Sequence, residues 1–238
     1  NYRNTTLMLC CGAGAAIAAI FKAPITGVVF VLEILMLDIT AGSVIPLLIA
    51  SITATTMAFM LRGFDPILAV TLAPADAFEL WQIPLFILLG VLCGLMAWYF
   101  TSMNSRVGGF FKSIDKQYKK WLWGGAILGI LIFVFPPLYG EGYEGFTSLM
   151  HGNAQELFNR FRDIDWVIIL FVIATMFFKV IAMSTTNAAG GVGGTFAPSL
   201  FVGAFTGASL ALVCNTLFGW EVSIVSFTLV GMAGVMSG

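Results

Sequence analysis

Histidine is all but missing from this 238-residue chain, with His151 the only one. That excludes His-rich metal sites and the paired-histidine helices of metal hydrolases. Charge is scarce too: 10% of residues are Asp, Glu, Lys or Arg, where a soluble domain carries about 25%. A folded soluble monomer with so few charges could not cover its surface. The 11 basic and 12 acidic side chains leave a net charge of −1. No basic face exists to neutralise a phosphate backbone, so nucleic-acid binding is excluded. Cysteine is sparse. Cys10, Cys11, Cys93 and Cys214 lie inside apolar runs without metal-ligand spacing, which reads as small buried thiols and not a disulfide framework.

What the chain does have is apolar surface. Hydrophobic residues make up 59% of it, and mean hydropathy is +0.98. An apolar run of about 20 residues crosses the hydrocarbon core of a bilayer. Charge-free stretches at 42–61, 80–105 and 121–140 meet that length, and 166–185 is interrupted only by Lys179. The sequence therefore predicts an all-α, multi-pass integral membrane protein. Between Thr5 and Leu37 the apolar sequence is broken by Lys22 and Pro24, which predicts two shorter helices meeting at a turn. Broken segments of this kind are typical of transporters and channels. Arg106, Lys112, Lys116, Lys119 and Lys120 face a single acid, Asp115, across residues 102–120. Short basic loops stay cytoplasmic, so 62–79 and 141–165 would face the other side. Residues 139–162 are amphipathic and read as an interfacial or re-entrant segment, or as a solvated face.

The stretch richest in chemistry is Asn187-Ala188-Ala189-Gly190-Gly191-Val192-Gly193-Gly194-Thr195-Phe196-Ala197-Pro198. Four glycines in five positions do not suit a helix interior. Pro198 suits a first helical turn, because it lacks an N–H that would go unpaired there. The pattern predicts an extended loop at membrane depth that opens into a helix near Thr195. Such an N-terminus presents amide N–H groups and the positive end of the helix dipole, a setting for an anion. No lysine or arginine in the stretch would hold that anion too tightly to release. Helix packing is the competing reading, since Gly190 and Gly194 are four apart, as are Gly203 and Gly207. For the second pair packing is favoured. The Ser184-Thr185-Thr186-Asn187 run either lines a pathway or bonds back to helix carbonyls. A faint repeat links Gly12-Ala13-Gly14-Ala15-Ala16 to Gly231-Met232-Ala233-Gly234-Val235.

Three stretches together resemble a known family. Gly193-Gly194-Thr195-Phe196-Ala197-Pro198 looks like the GxFxP signature of the CLC chloride channels and proton–chloride exchangers. Gly12 to Ala19 is similar to that family's glycine-rich helix, and Lys22 to Glu33 to its APxxG turn and FxxE helix. The resemblance implies a CLC-type inverted-repeat bundle with broken and re-entrant helices, here a partial domain. Residues 1–61 would end the first repeat, 62–79 would link on the extracellular side, and 80–238 would form most of the second. The chain would be a piece of a longer protein that continues past Gly238 toward another APxxG-like turn.

By the same resemblance, chloride or a similar small anion is the ligand, with no other cofactor and no metal. Gly194, Thr195, Phe196 and Ala197 would contribute to the central chloride site. Lys22, Glu33, Ile34 and Lys179 are candidates for the pathway or its vestibule. In the exchangers a proton-transfer glutamate follows the position matched by Glu33, and here that position is Ile34. Isoleucine cannot relay protons, so passive conduction of the voltage-gated chloride channel type is favoured. The alternatives are exchange by another proton path and transport of another small anion. A homodimer in the plasma (inner) membrane is implied as well. An embedded enzyme is disfavoured, because no nucleophile with a base and no carboxylate pair at depth is present.

Overall fold

The computed structural model describes residues 2–34, 40–63, 79–140, 142 and 165–238. Most of the amphipathic segment expected over 139–162 and most of the expected linker over 62–79 lie outside them. Two compact units divide the chain at residues 69 and 70. Among the described residues, five helices are long and apolar enough to cross a membrane: Asn4–Phe21, Gly42–Arg62, Leu80–Lys112, Trp166–Ala188 and Phe196–Phe218.

The first unit holds α1 (Tyr2–Phe21), α2 (Pro24–Ile34) and α3 (Ala41–Arg62). The break between α1 and α2 falls where the sequence predicts it. Lys22 takes a positive φ of 52° and Pro24 begins the next helix, where its missing N–H removes one group that would otherwise lack an acceptor. Glycines let the two helices touch along their backbones. A methyl on Gly14 would come within 3.1 Å of the Gly27 carbonyl, and one on Gly27 would strike the Gly14 carbonyl. Cys10, Val28, Val31 and Leu47 form the core of the unit. The buried Thr55 hydroxyl donates to the Ala18 carbonyl at 3.1 Å, tying α3 to α1.

The second unit holds α4 (Ile83–Lys112), α5 (Gln117–Val134), α6 (Asp165–Ala188), α7 (Phe196–Phe218) and α8 (Ile224–Ser237). Every residue of α7 from Phe201 to Ala211 is buried, with α4, α6 and α8 packed around it. Apolar helices associate in lipid through close packing of small residues, because lipid tails are as apolar as leucine. Gly203 and Gly207 serve that purpose, as expected. Side chains there would run into the backbone carbonyls of Gly231 and Phe227 on α8. Cys93 on α4 reaches the Gly231 carbonyl at 3.7 Å from the other side.

Two details depart from the sequence reading. The basic stretch 102–120 is mostly helical: α4 runs on to Lys112 and α5 starts at Gln117, so only 113–116 separate them. A lack of apolar periodicity does not stop a helix whose polar turns project into water. The uncharged run 121–140 is not helical throughout either. It ends at Val134 and turns through a short 3-10 segment at Pro136–Leu138, because Phe135 precedes a proline and the α conformation is disfavoured there.

Candidate functional site at the glycine loop

The last turn of α6 closes by backbone bonds that reverse the chain. Ala189 N–H donates to the Thr185 carbonyl at 2.9 Å, Gly190 N–H to Asn187 at 3.2 Å, and Gly191 N–H to Thr186 at 2.9 Å. The reversal needs a left-handed residue, and Gly190 supplies it at φ 99°. Residues 191–194 then run without regular structure and exposed, and α7 starts at Phe196. Thr195 caps that start, and its carbonyl accepts from Ser199 N–H at 3.0 Å. Pro198 occupies the third helical position. The first turn of a helix directs its amides out of the N-terminal end, and here that turn holds Phe196 and Ala197. The loop-then-helix arrangement predicted from the glycines is therefore the one observed.

The four glycines are not equivalent. A side chain on Gly190 would meet Gln117 Nε2 at 2.6 Å, one on Gly191 would meet Thr186, and one on Gly193 would come to 2.5 Å from Asn187 Oδ1. Those three glycines make room for protein. Gly194 does not: apart from its own chain neighbours, no heavy atom of the described residues lies within 4 Å of where its Cβ would be. A small-xxx-small helix contact between Gly190 and Gly194 is thereby ruled out as the reason for both residues. The space beside Gly194 is open, and it adjoins the first turn of α7.

A family model described as voltage gated chloride channel matches residues 1–238. The chain belongs to the CLC family. A ClcB-like chloride channel protein of Ralstonia nicotianae is 29% identical over 239 residues, covering 100% of this chain and 52% of that protein. The voltage-gated ClC-type chloride channel ClcB of Escherichia coli strain SMS-3-5 / SECEC is 28% identical over 240 residues, covering 97% of this chain and 52% of the relative. The chain spans about half the length of the curated relatives it matches.

In this CLC chain, Lys22, Glu33 and Ile34 belong to the first unit. Lys22 Nζ donates to the Gly63 carbonyl at 2.7 Å and lies 5.5 Å from the Phe59 ring centroid, fastening the α1–α2 turn to the end of α3. Glu33 is exposed near the end of α2, and Ile34 is the last residue of that helix. Lys179 is in the second unit, on α6 and only 3% exposed. Its Nζ donates to the carbonyls of Leu138 at 3.2 Å and Gly140 at 2.8 Å, and sits 4.8 Å from the Phe201 ring centroid. Lys179 is a candidate for the pathway by resemblance, and the structure shows its ammonium bonded to these two carbonyls.

Changing Lys179 to methionine keeps the chain length and leaves both carbonyls short of a donor. A destabilisation of about 2 kcal/mol is expected. Thermal unfolding of the detergent-solubilised protein measures it, and an unchanged midpoint would contradict the fastening role.

Along the Ser184–Asn187 run the hydroxyls split. Thr186 bonds back to the Ala182 carbonyl at 2.9 Å, whereas the buried Ser184 hydroxyl has no hydrogen-bond partner among the described residues. Gln117 is a neighbour of the glycine loop that the sequence did not single out. It lies 73 positions before Gly190, and nothing in a polar residue at a helix start signals a contact that distant.

Proposed function

We propose that the full-length protein conducts chloride passively across the membrane and that the Gly194–Ala197 turn supplies part of its central anion site. The observation that carries this reading is the open space at Gly194 beside the first turn of α7. An anion lodged there would accept from backbone N–H groups and lie at the positive end of the helix dipole. Backbone amides suit a permeant ion, since they replace hydration without the strong hold of a full positive charge. Membership of the CLC family supports chloride as that ion. The two relatives named above carry chloride-channel names.

Passive conduction is preferred to proton-coupled exchange because of Ile34, an apolar side chain where an exchanger would place a proton carrier. The pathway would be built once per subunit in a homodimer, in the plasma (inner) membrane. Lys22 and Lys179 are then framework residues more than ion ligands, since both are fastened to carbonyls in their own units.

The full-length protein in chloride-loaded liposomes provides the test, with chloride efflux and external pH followed together. The expected result is efflux with no uphill proton movement. Proton pumping driven by the chloride gradient would replace the channel reading with exchange. Folded protein that moves no chloride at all would overturn the anion site itself.

A further inference from the structure

We infer that Asn187 is a positioning residue for the anion site, holding the glycine loop so that the amides that follow it stay aimed. The inference rests on the anion site proposed for Gly194–Ala197. Within the loop the backbone does little to hold itself in place. Gly191 N–H bonds to Thr186, and residues 192–194 then cross to α7 as exposed, irregular chain. Two carboxamide side chains are seated against this stretch in gaps that glycines leave. Gln117 comes from α5, donates from Nε2 to the Ala189 carbonyl at 3.4 Å, and occupies the space a side chain on Gly190 would need. Asn187 comes from the last turn of α6. Its own carbonyl accepts from Gly190 N–H, and its Oδ1 fills the space beside Gly193, one residue before Gly194.

Asn187 is an expensive choice for a filler. Its Nδ2 faces the Met183 sulfur at 3.2 Å, and a thioether is a weak acceptor. Its Oδ1 is buried with no hydrogen-bond partner among the described residues. An unsatisfied buried polar atom lowers stability, so an apolar side chain of similar size would make a more stable protein. A residue that weakens the fold while bracing the loop next to the ion is placed there for the loop. The brace acts by preorganisation: a loop already fixed loses less freedom when the anion arrives. It also keeps the amides at one spacing, which favours an anion of one size over a larger one.

The test uses the full-length protein and four variants: Asn187→Ala, Gly193→Ala, the double variant, and Gly194→Val. Chloride and bromide binding are followed by calorimetry, and thermal unfolding is recorded for each. Asn187→Ala is expected to weaken chloride binding about fivefold, because an unbraced loop loses more freedom when the anion arrives. It should also narrow the preference for chloride over bromide without lowering the unfolding temperature. Gly193→Ala should lower that temperature by pressing on Asn187. The double variant should recover it, since the methyl then fills the vacated space, yet stay weak for chloride. Unmodified binding by Asn187→Ala, or recovery of affinity in the double variant, would reduce Asn187 to packing. If Gly194→Val also binds chloride normally, the anion site fails and takes this inference with it. If only Gly194→Val loses binding, the site stands and the positioning role falls.

Discussion

Valine at position 194 is expected to cut chloride flux to about a hundredth while leaving a folded protein, since losing charge-assisted bonds of the strength given by backbone N–H groups changes binding tenfold to a hundredfold each way. Stability and conduction are the two halves of the effect. Folding should tolerate the change: beyond its own chain neighbours, nothing among the described residues lies near the position of the Cβ. Gly194 is also not one of the glycines with positive φ, so an L residue needs no backbone strain. Conduction by the proposed route would not tolerate it, because two methyl groups would stand in the space beside the first turn of α7, where a dehydrated anion would replace its water with amides. Alanine at the same site adds one methyl and should have an intermediate effect. Efflux from proteoliposomes, paired with thermal unfolding, separates the halves. Normal flux in a stable Gly194→Val protein would remove the anion from this turn.

Valine at position 207 is expected to do the opposite and lower the stability of the fold sharply. The missing side chain of Gly207 would overlap the carbonyl of Phe227, and Thr228 Cα is 3.0 Å from the same point. These neighbours are backbone atoms of α8, so no rotamer can yield. The helices must move apart, which breaks the packing that holds them together in lipid. Overpacking in a well-filled core costs about 1–3 kcal/mol and occasionally more. A backbone-to-backbone contact with no flexible partner belongs at or above the upper end. The readout is the yield of monodisperse protein in detergent and its unfolding temperature. The contrast with Gly193 is instructive: there the obstacle is the Asn187 side chain, and a second substitution can remove it. No second substitution removes the Phe227 carbonyl. A Gly207→Val protein as stable as the unmodified one would mean that α7 and α8 do not meet as described.

Much of this architecture is legible in the sequence, for reasons that are local. The break at Lys22–Pro24 is written in a proline that must start a helix. The opening of α7 is written in four glycines followed by Pro198, and the burial of α7 in its small residues. Other features are not local and do not show. Residues 106–112 carry Arg106 and Lys112 and read as loop, but a helix can extend its polar end into water. The 121–140 run promised a full span by composition, yet two adjacent prolines end the helix after Val134. The sequence offered two meanings for Gly190 and Gly194 together, and only the surroundings assign them separately. Asn187 reads as part of the polar run, but its seat beside Gly193 does not show there. Gln117 is brought to the loop from a distant helix, and residue type alone says nothing of that.

Lys179 also bears on how the protein enters the membrane as it is made. A lysine at the centre of an inserting helix costs about 2.5–3.5 kcal/mol. The segment that carries it, Trp166–Ala188, has the highest hydropathy of the five candidate spans, 2.5. Its isoleucines, leucine, valines and phenylalanines offset the charge during insertion. The carbonyls that finally receive the ammonium group belong to Leu138 and Gly140, 41 and 39 positions earlier. They have left the ribosome before the lysine does. The charge thus arrives second, into a membrane where its acceptors have already been synthesised.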